Sequence, residues 1–137
     1  MPYAHFTLAY WCLLIAALLP LACAGIAKYG TFTMPRSQGG FDNHNPRAWL
    51  ARQTDWRARA NAAQANTFEA LPFFFAAVIV AHMLGAGQTR IDILSFLWLV
   101  LRCLYIITYV GDMAKARSIV WVGALIINIT ILLIAYK

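Results

Sequence analysis

An amide, a carboxylate and a proline open a long apolar run at Asn66-Thr-Phe-Glu69-Ala-Leu-Pro72-Phe-Phe-Phe. From Ala70 to Gly87 the only ionisable side chain is His82. A second oddity is Arg102, the only charge between Ile93 and Val110. A charge inside an apolar span is costly unless it finds a partner, so such residues mark functional sites by default. Glu69 and Arg102 are the natural candidates for an ion pair, expected within one protomer at hydrogen-bonding distance. Asn66 and Glu69 stand at i and i+3, and Arg59 lies seven residues before Asn66, so the three share a helical stripe. Arg102, Tyr105 and Tyr109 form a second stripe at i, i+3 and i+7, while Arg117 and Ser118 open the next apolar stretch. Two readings fit these residues. One is a polar, anion-recognising pocket between helices. The other is a buried Glu69–Arg102 pair that fixes packing, with Asn66 as an interhelical hydrogen-bond donor.

The elements that must position them are membrane helices. The chain has 137 residues, of which 62% are hydrophobic and 12% charged. A soluble domain carries about a quarter charged residues, so this much apolar surface calls for a bilayer. Four apolar stretches appear, from about Tyr3 to Ala27, Ala62 to Leu84, Ile91 to Gly111 and Ser118 to Tyr136. Each has roughly the 20 residues that cross a 30 Å hydrocarbon core as a helix. No period-2 alternation supports a β-barrel. The expected fold is an all-α, integral membrane four-helix bundle filling residues 1–137 as one domain. Between Arg47 and Asn61 there is no Pro or Gly, and Ala, Arg and Gln dominate. Helix 2 should therefore begin near Pro46–Ala48, with Asn45 as N-cap and proline at N1, and project from the membrane before entering it.

Basic residues set the orientation. Lys28, Arg36, Arg47, Arg52, Arg57, Arg59, Lys115 and Arg117 follow spans one and three, against Arg90 and Lys137 on the other side. By the positive-inside tendency these two connections are cytoplasmic, and both termini face the non-cytoplasmic side. The net charge of +6 thus reports topology and membrane lipid, not nucleic acid. Asn66, Glu69, Tyr109, Arg117 and Ser118 then converge on the cytoplasmic third of the bundle. Cys12, Cys23 and Cys103 lie in apolar stretches without metal-ligand spacing and read as small buried hydrophobes; no metal site is expected. Leu19-Pro-Leu-Ala-Cys23 faintly resembles a lipoprotein cleavage site, yet no Lys or Arg precedes it. The segment is expected to stay as span one. His82 has no second ligand nearby and reads as a packing residue.

The helix 2 segment Arg59-Ala-Asn-Ala-Ala-Gln-Ala-Asn66-Thr-Phe-Glu69-Ala-Leu-Pro72-Phe-Phe resembles the signature of the membrane-associated proteins in eicosanoid and glutathione metabolism (MAPEG). That signature is an arginine-rich approach, then Asn-x-x-Glu-x-x-Pro and an aromatic. Four spans in this length, a span-three arginine followed by tyrosine, and an Arg-Ser pair opening span four are similar to the family too. The resemblance covers nearly the whole chain and looks like that of bacterial-type members, which implies the bacterial inner membrane. It implies a homotrimer that binds glutathione between neighbours near the cytosolic face. Carried over, Asn66, Glu69, Arg102 and Tyr109 bind the tripeptide, and Arg117, with Ser118, stabilises its thiolate. A cationic guanidinium lowers a thiol pKa, and the thiolate is the nucleophile. Glutathione-using members carry arginines four or one residue before the Asn, where this chain has Ala62 and Ala65. Arg59, with Arg57, is what remains to reach the ligand. The expected activity is a glutathione-dependent transferase or peroxidase acting on lipophilic electrophiles. The alternative is a non-catalytic membrane accessory or binding subunit with a structural Glu69–Arg102 pair. A transporter fits less well, since there is no internal repeat and no second broken helix.

Overall fold

The computed structural model describes residues 5–136. It places five helices in order: α1 (Leu8–Lys28), α2 (Pro46–Ala51), α3 (Asp55–Met83), α4 (Gln88–Val110) and α5 (Ala114–Leu133). No strand occurs among the described residues. Four of the helices, all but α2, are long and apolar enough to cross a membrane. The chain is therefore a multi-pass four-helix membrane bundle, as expected. Tyr3 and Lys137, taken as the start of span one and as a far-side charge, lie outside the described residues.

α3 and α4 pack against each other and carry the outer helices, α1 on both and α5 on both. Small residues allow the close approach of α1: Ala9, Cys12, Ala16, Pro20, Cys23 and Ala27 all face inward. They meet the inward stripe of α3, which includes Ala60, Ala63, Thr67 and Phe74. Association of helices in lipid rests on such close packing, since lipid tails are as apolar as leucine. Cys12 and Cys23 thus serve as small core residues. Phe74 stacks on Trp98 of α4 with ring centroids 3.8 Å apart. At the far pole Asp92 Oδ1 accepts from the Ala9 amide at 2.9 Å. It satisfies one of the free donors at the start of α1 from another helix. His82 stacks on Tyr10 at 4.6 Å, a packing role as expected.

Helix 2 departs from expectation in one respect. It starts at Pro46, but the helix is broken over residues 52–54 and restarts at Asp55. Asp55 has a φ of 53°, a left-handed conformation that a right-handed helix does not run through. Trp49 supplies the tertiary reason. It is buried at 3% exposure, donates Nε1–H to the Gly39 carbonyl at 3.3 Å and lies edge-on to Phe41. Burying this side chain turns α2 away from the axis of α3. The projection itself stands: 29 residues at about 1.5 Å each make about 43 Å, well beyond a hydrocarbon core of about 30 Å.

The connection from α1 to α3 is consequently a folded plate. Phe32 packs on Phe41, Lys28 Nζ sits 4.5 Å over the Phe41 ring, and Gly40 donates its amide to the Pro35 carbonyl. A Cβ at Gly40 would clash with the Met34 carbonyl oxygen, whereas one at Gly25 meets nothing. Gly40→Ala should therefore open the plate and free the backbone at Arg36, Arg47 and Arg52, whose side chains are already exposed, for cleavage by trypsin. Cleavage should accelerate about tenfold for each ~1.4 kcal/mol of loop stability lost, with Gly25→Ala as the unchanged control. Equal cleavage of the two variants would show that the plate does not depend on this close approach.

Candidate functional site

Arg102 is the centre of the polar interior. It is 1% exposed and sits on the α4 stripe with Trp98 and Tyr105. Its guanidinium lies 4.3 Å from the Tyr105 ring centroid and 5.9 Å from that of Trp98. One nitrogen, Nη2, donates to Asn66 Oδ1 at 3.1 Å and to Thr67 Oγ1 at 3.0 Å. Thr67 spends its own proton on the Ala63 carbonyl at 2.7 Å, which leaves its oxygen lone pairs for the arginine. Arg102 is thus tied to α3 through a hydroxyl and an amide.

The expected pair with Glu69 does not form within the protomer. Among the described residues Arg36–Asp42 is the one ion pair, and Glu69 has no hydrogen-bond partner. The reason is helical phase. Thr67, fully buried, points at α4, and Glu69 is about 200° further round the helix. The sequence reading missed Thr67. Its signal was available, a lone hydroxyl one residue after Asn66 in a row of small residues, but a threonine in a helix usually bonds back to its own backbone.

Glu69 is instead exposed, on an outward stripe of α3 with Ala65, Pro72 and Ala76. It stands 14 residues from each end of α3. From the sequence, the small residues Ala62, Ala65, Ala76 and Ala77 of span two are expected to line the centre of a trimer; Ala65 and Ala76 face outward and Ala62 is half-buried. Ala77 is a correction, since it faces the core at 0% exposure.

A cavity of about 200 Å³ opens between α3, α4 and α5, with Asn66, Glu69, Arg102, Trp98, Trp121 and Asn128 in its wall. Two buried polar atoms beside it have no partner, Arg102 Nε and Asn128 Oδ1. Buried polar atoms in folded proteins are nearly always bonded, so a donor and an acceptor on one cavity mark a place for a ligand or water. Typical ligand pockets hold about 300–1,000 Å³, so this cavity is small for a ligand site.

The remaining candidates divide into two groups. Tyr109 and Arg117 come together, the guanidinium 4.2 Å from the ring centroid. Tyr109 in turn meets Tyr105 edge-on at 5.6 Å. A ladder Arg102–Tyr105–Tyr109–Arg117 therefore runs from the cavity to the first turn of α5, which begins at Ala114, earlier than expected. Arg59 and Ser118 do not join it. Arg59 Nε donates to the Val110 carbonyl at 3.0 Å, capping the end of α4. Ser118 Oγ turns back to the Ala114 carbonyl at 3.1 Å. Arg57 likewise holds the carbonyls of Ala27 and Tyr29, both at 2.8 Å, at the end of α1. Both arginines left to replace those absent at Ala62 and Ala65 are engaged with helix C-termini, where cations are favoured. No group of metal-binding side chains occurs among the described residues.

Compared with known proteins, the sequence matches the family model described as MAPEG family over residues 8–137. No curated protein and no solved structure matches it.

The Thr67 hydroxyl can be tested directly. Thr67→Val removes an acceptor from a buried guanidinium and should destabilise by about 1.5–3 kcal/mol, the usual worth of a hydrogen bond to a charged group. Thr67→Ser keeps the hydroxyl and should lose less than about half of that. Thermal unfolding in mild detergent measures both, and equal losses would remove the hydroxyl from the account.

Proposed function

The chain belongs to the MAPEG family, and on that premise we propose that it is a glutathione-dependent transferase or peroxidase acting on lipophilic electrophiles, working as a homotrimer. The observation that carries this reading is the unpaired Arg102 Nε beside a cavity whose wall also holds Asn66 and Glu69. Arg102 and Asn66 have the donors to hold a carboxylate or peptide carbonyl of glutathione, and Glu69 has the acceptor for its ammonium. Arg117, on Tyr109, has the charge that favours the ionised sulfur. When bound, glutathione supplies the thiolate that attacks the electrophile. The lipophilic substrate reaches the site from the bilayer, past Phe73 and Trp121, both of which line the cavity.

Glu69 supports an assembly of copies, and the family resemblance supplies the number three. A carboxylate on the outer surface of a spanning helix is expensive in lipid, and a second copy covers it while completing the undersized cavity. The flanking Ala65 and Ala76 let two backbones approach closely. By the distribution of basic residues, the α1–α3 connection and the α4–α5 turn lie in the cytoplasm and both termini on the opposite side.

A second reading, a non-catalytic binding or accessory subunit, is favoured by a specific observation. Arg57 and Arg59 are spent as helix caps, so the carboxylates of glutathione find fewer cations here than in relatives with arginine at the positions of Ala62 and Ala65.

Calorimetry with purified protein and glutathione separates the two. Ala62→Arg should tighten binding by about one to two decades, since a charge-assisted hydrogen bond contributes roughly 1.5–3 kcal/mol. Conjugation of a small aromatic electrophile should fall about tenfold or more in Arg117→Ala, a barrier change of about 1.4 kcal/mol. An active protein indifferent to that change removes Arg117 from the mechanism. Absence of binding and turnover at millimolar glutathione selects the accessory reading. Cross-linking in mild detergent should yield trimers, and only monomers or dimers would count against the assembly.

A further inference from the structure

The plate between α1 and α3 holds a second cavity, of about 330 Å³, walled by Arg36, Gly39, Asp42, Trp49, Arg52 and Gln53. It is unrelated to the intramembrane site. Two guanidiniums face one carboxylate there. Asp42 lies 3.8 Å from Arg36 Nε and also accepts from the His44 amide at 3.0 Å, so its charge is partly compensated. The Arg52 side chain has no hydrogen-bond or ion-pair partner among the described residues. Residues 28–59 carry six Lys and Arg against two Asp. The cavity is thus a cationic recess, and the planar fork of arginine suits a phosphate.

What stands beside the recess identifies the source of that phosphate. Tyr29 and Phe32 are 76% and 68% exposed, and Met34 is exposed as well. They follow directly on Lys28, the last residue of spanning helix α1, which puts them at the boundary of the bilayer. Phe32 packs on Phe41, and Phe41 on Trp49, a wall of the recess. Apolar rim and cationic recess are joined by these aromatic contacts. Aromatic side chains at a membrane boundary settle at headgroup level, and basic residues there attract anionic lipid.

We propose that this recess is a binding site for the phosphodiester headgroup of an anionic phospholipid in the adjacent leaflet, with Tyr29, Phe32 and Met34 seated at the boundary of its acyl chains. Arg52 and Arg36 hold the phosphate, and Trp49 fixes the recess. One lipid bound there ties the start of α3 to the membrane surface. The proposal is independent of the glutathione reading, because none of these residues lines the intramembrane cavity.

The test uses the full chain in mixed micelles of phosphatidylglycerol and phosphatidylcholine, with bound lipid read by native mass spectrometry. The wild type should retain phosphatidylglycerol in preference, one per protomer. Arg52→Gln should lower that retention about tenfold, the loss of one charge-assisted hydrogen bond. Lys115→Gln removes the same charge in the first turn of α5, at the end of the bundle where Arg59 meets Val110, and should leave retention unchanged. Arg52 has no partner to lose, so the unfolding temperature of Arg52→Gln should equal that of the wild type, which keeps a fall in retention from being a folding defect. Unchanged retention in Arg52→Gln overturns the site. Equal falls in Arg52→Gln and Lys115→Gln overturn it in favour of a diffuse field, and displacement by millimolar inorganic phosphate overturns the lipid as occupant.

Discussion

A guanidinium buried in a spanning helix must find its acceptors in the helices around it, because the lipid has none to give. Arg102 meets that demand with a hydroxyl and an amide on α3 and with the face of Tyr105 on its own helix. Most of the interior follows. The contact fixes the rotation of α3 against α4, since only one phase of α3 turns Thr67 to the arginine. That same phase sends Glu69 outward. Fixing one polar contact inside the chain thus leaves a carboxylate on the outer face of α3.

The arginines outside the membrane show how much of a basic charge count can be structural. Arg57 and Arg59 each reach across to the end of a different helix, α1 and α4, and satisfy carbonyls that have no intrahelical partner. Together they bind three spans at one pole. Asp92 does the converse at the other pole by accepting from the start of α1. These long-range caps spend the charges that a reading by motif would assign to a ligand. Arg117 differs. Its guanidinium rests on an aromatic face, which leaves its N–H donors free for an anion.

The plate between α1 and α3 illustrates a tertiary override of local preference. Residues 47–61 contain no Pro or Gly, and Ala and Arg dominate, so local preference favours one continuous helix. Burying the Trp49 indole against Gly39 and Phe41 outweighs the propensity of three residues, each worth well under about 1 kcal/mol. The helix breaks where that burial requires it.

The sequence by itself determined the spans, the all-helical class and the family. Each is set by local quantities: runs of about 20 apolar residues, their separation by Gly and charged turns, and the spacing of Asn66, Glu69 and Pro72. It also singled out Arg102 and brought Tyr109 to Arg117 by depth. Only the tertiary structure decided which partner each charge takes. The periodicity of a helix places Asn66, Thr67 and Glu69 on neighbouring faces but does not say which face meets α4, because interhelical rotation is set by tertiary contacts such as that of Arg102 with Thr67. The partners of Arg57, Arg59 and Arg102 lie between 28 and 51 residues away. No short-range pattern encodes contacts at that separation.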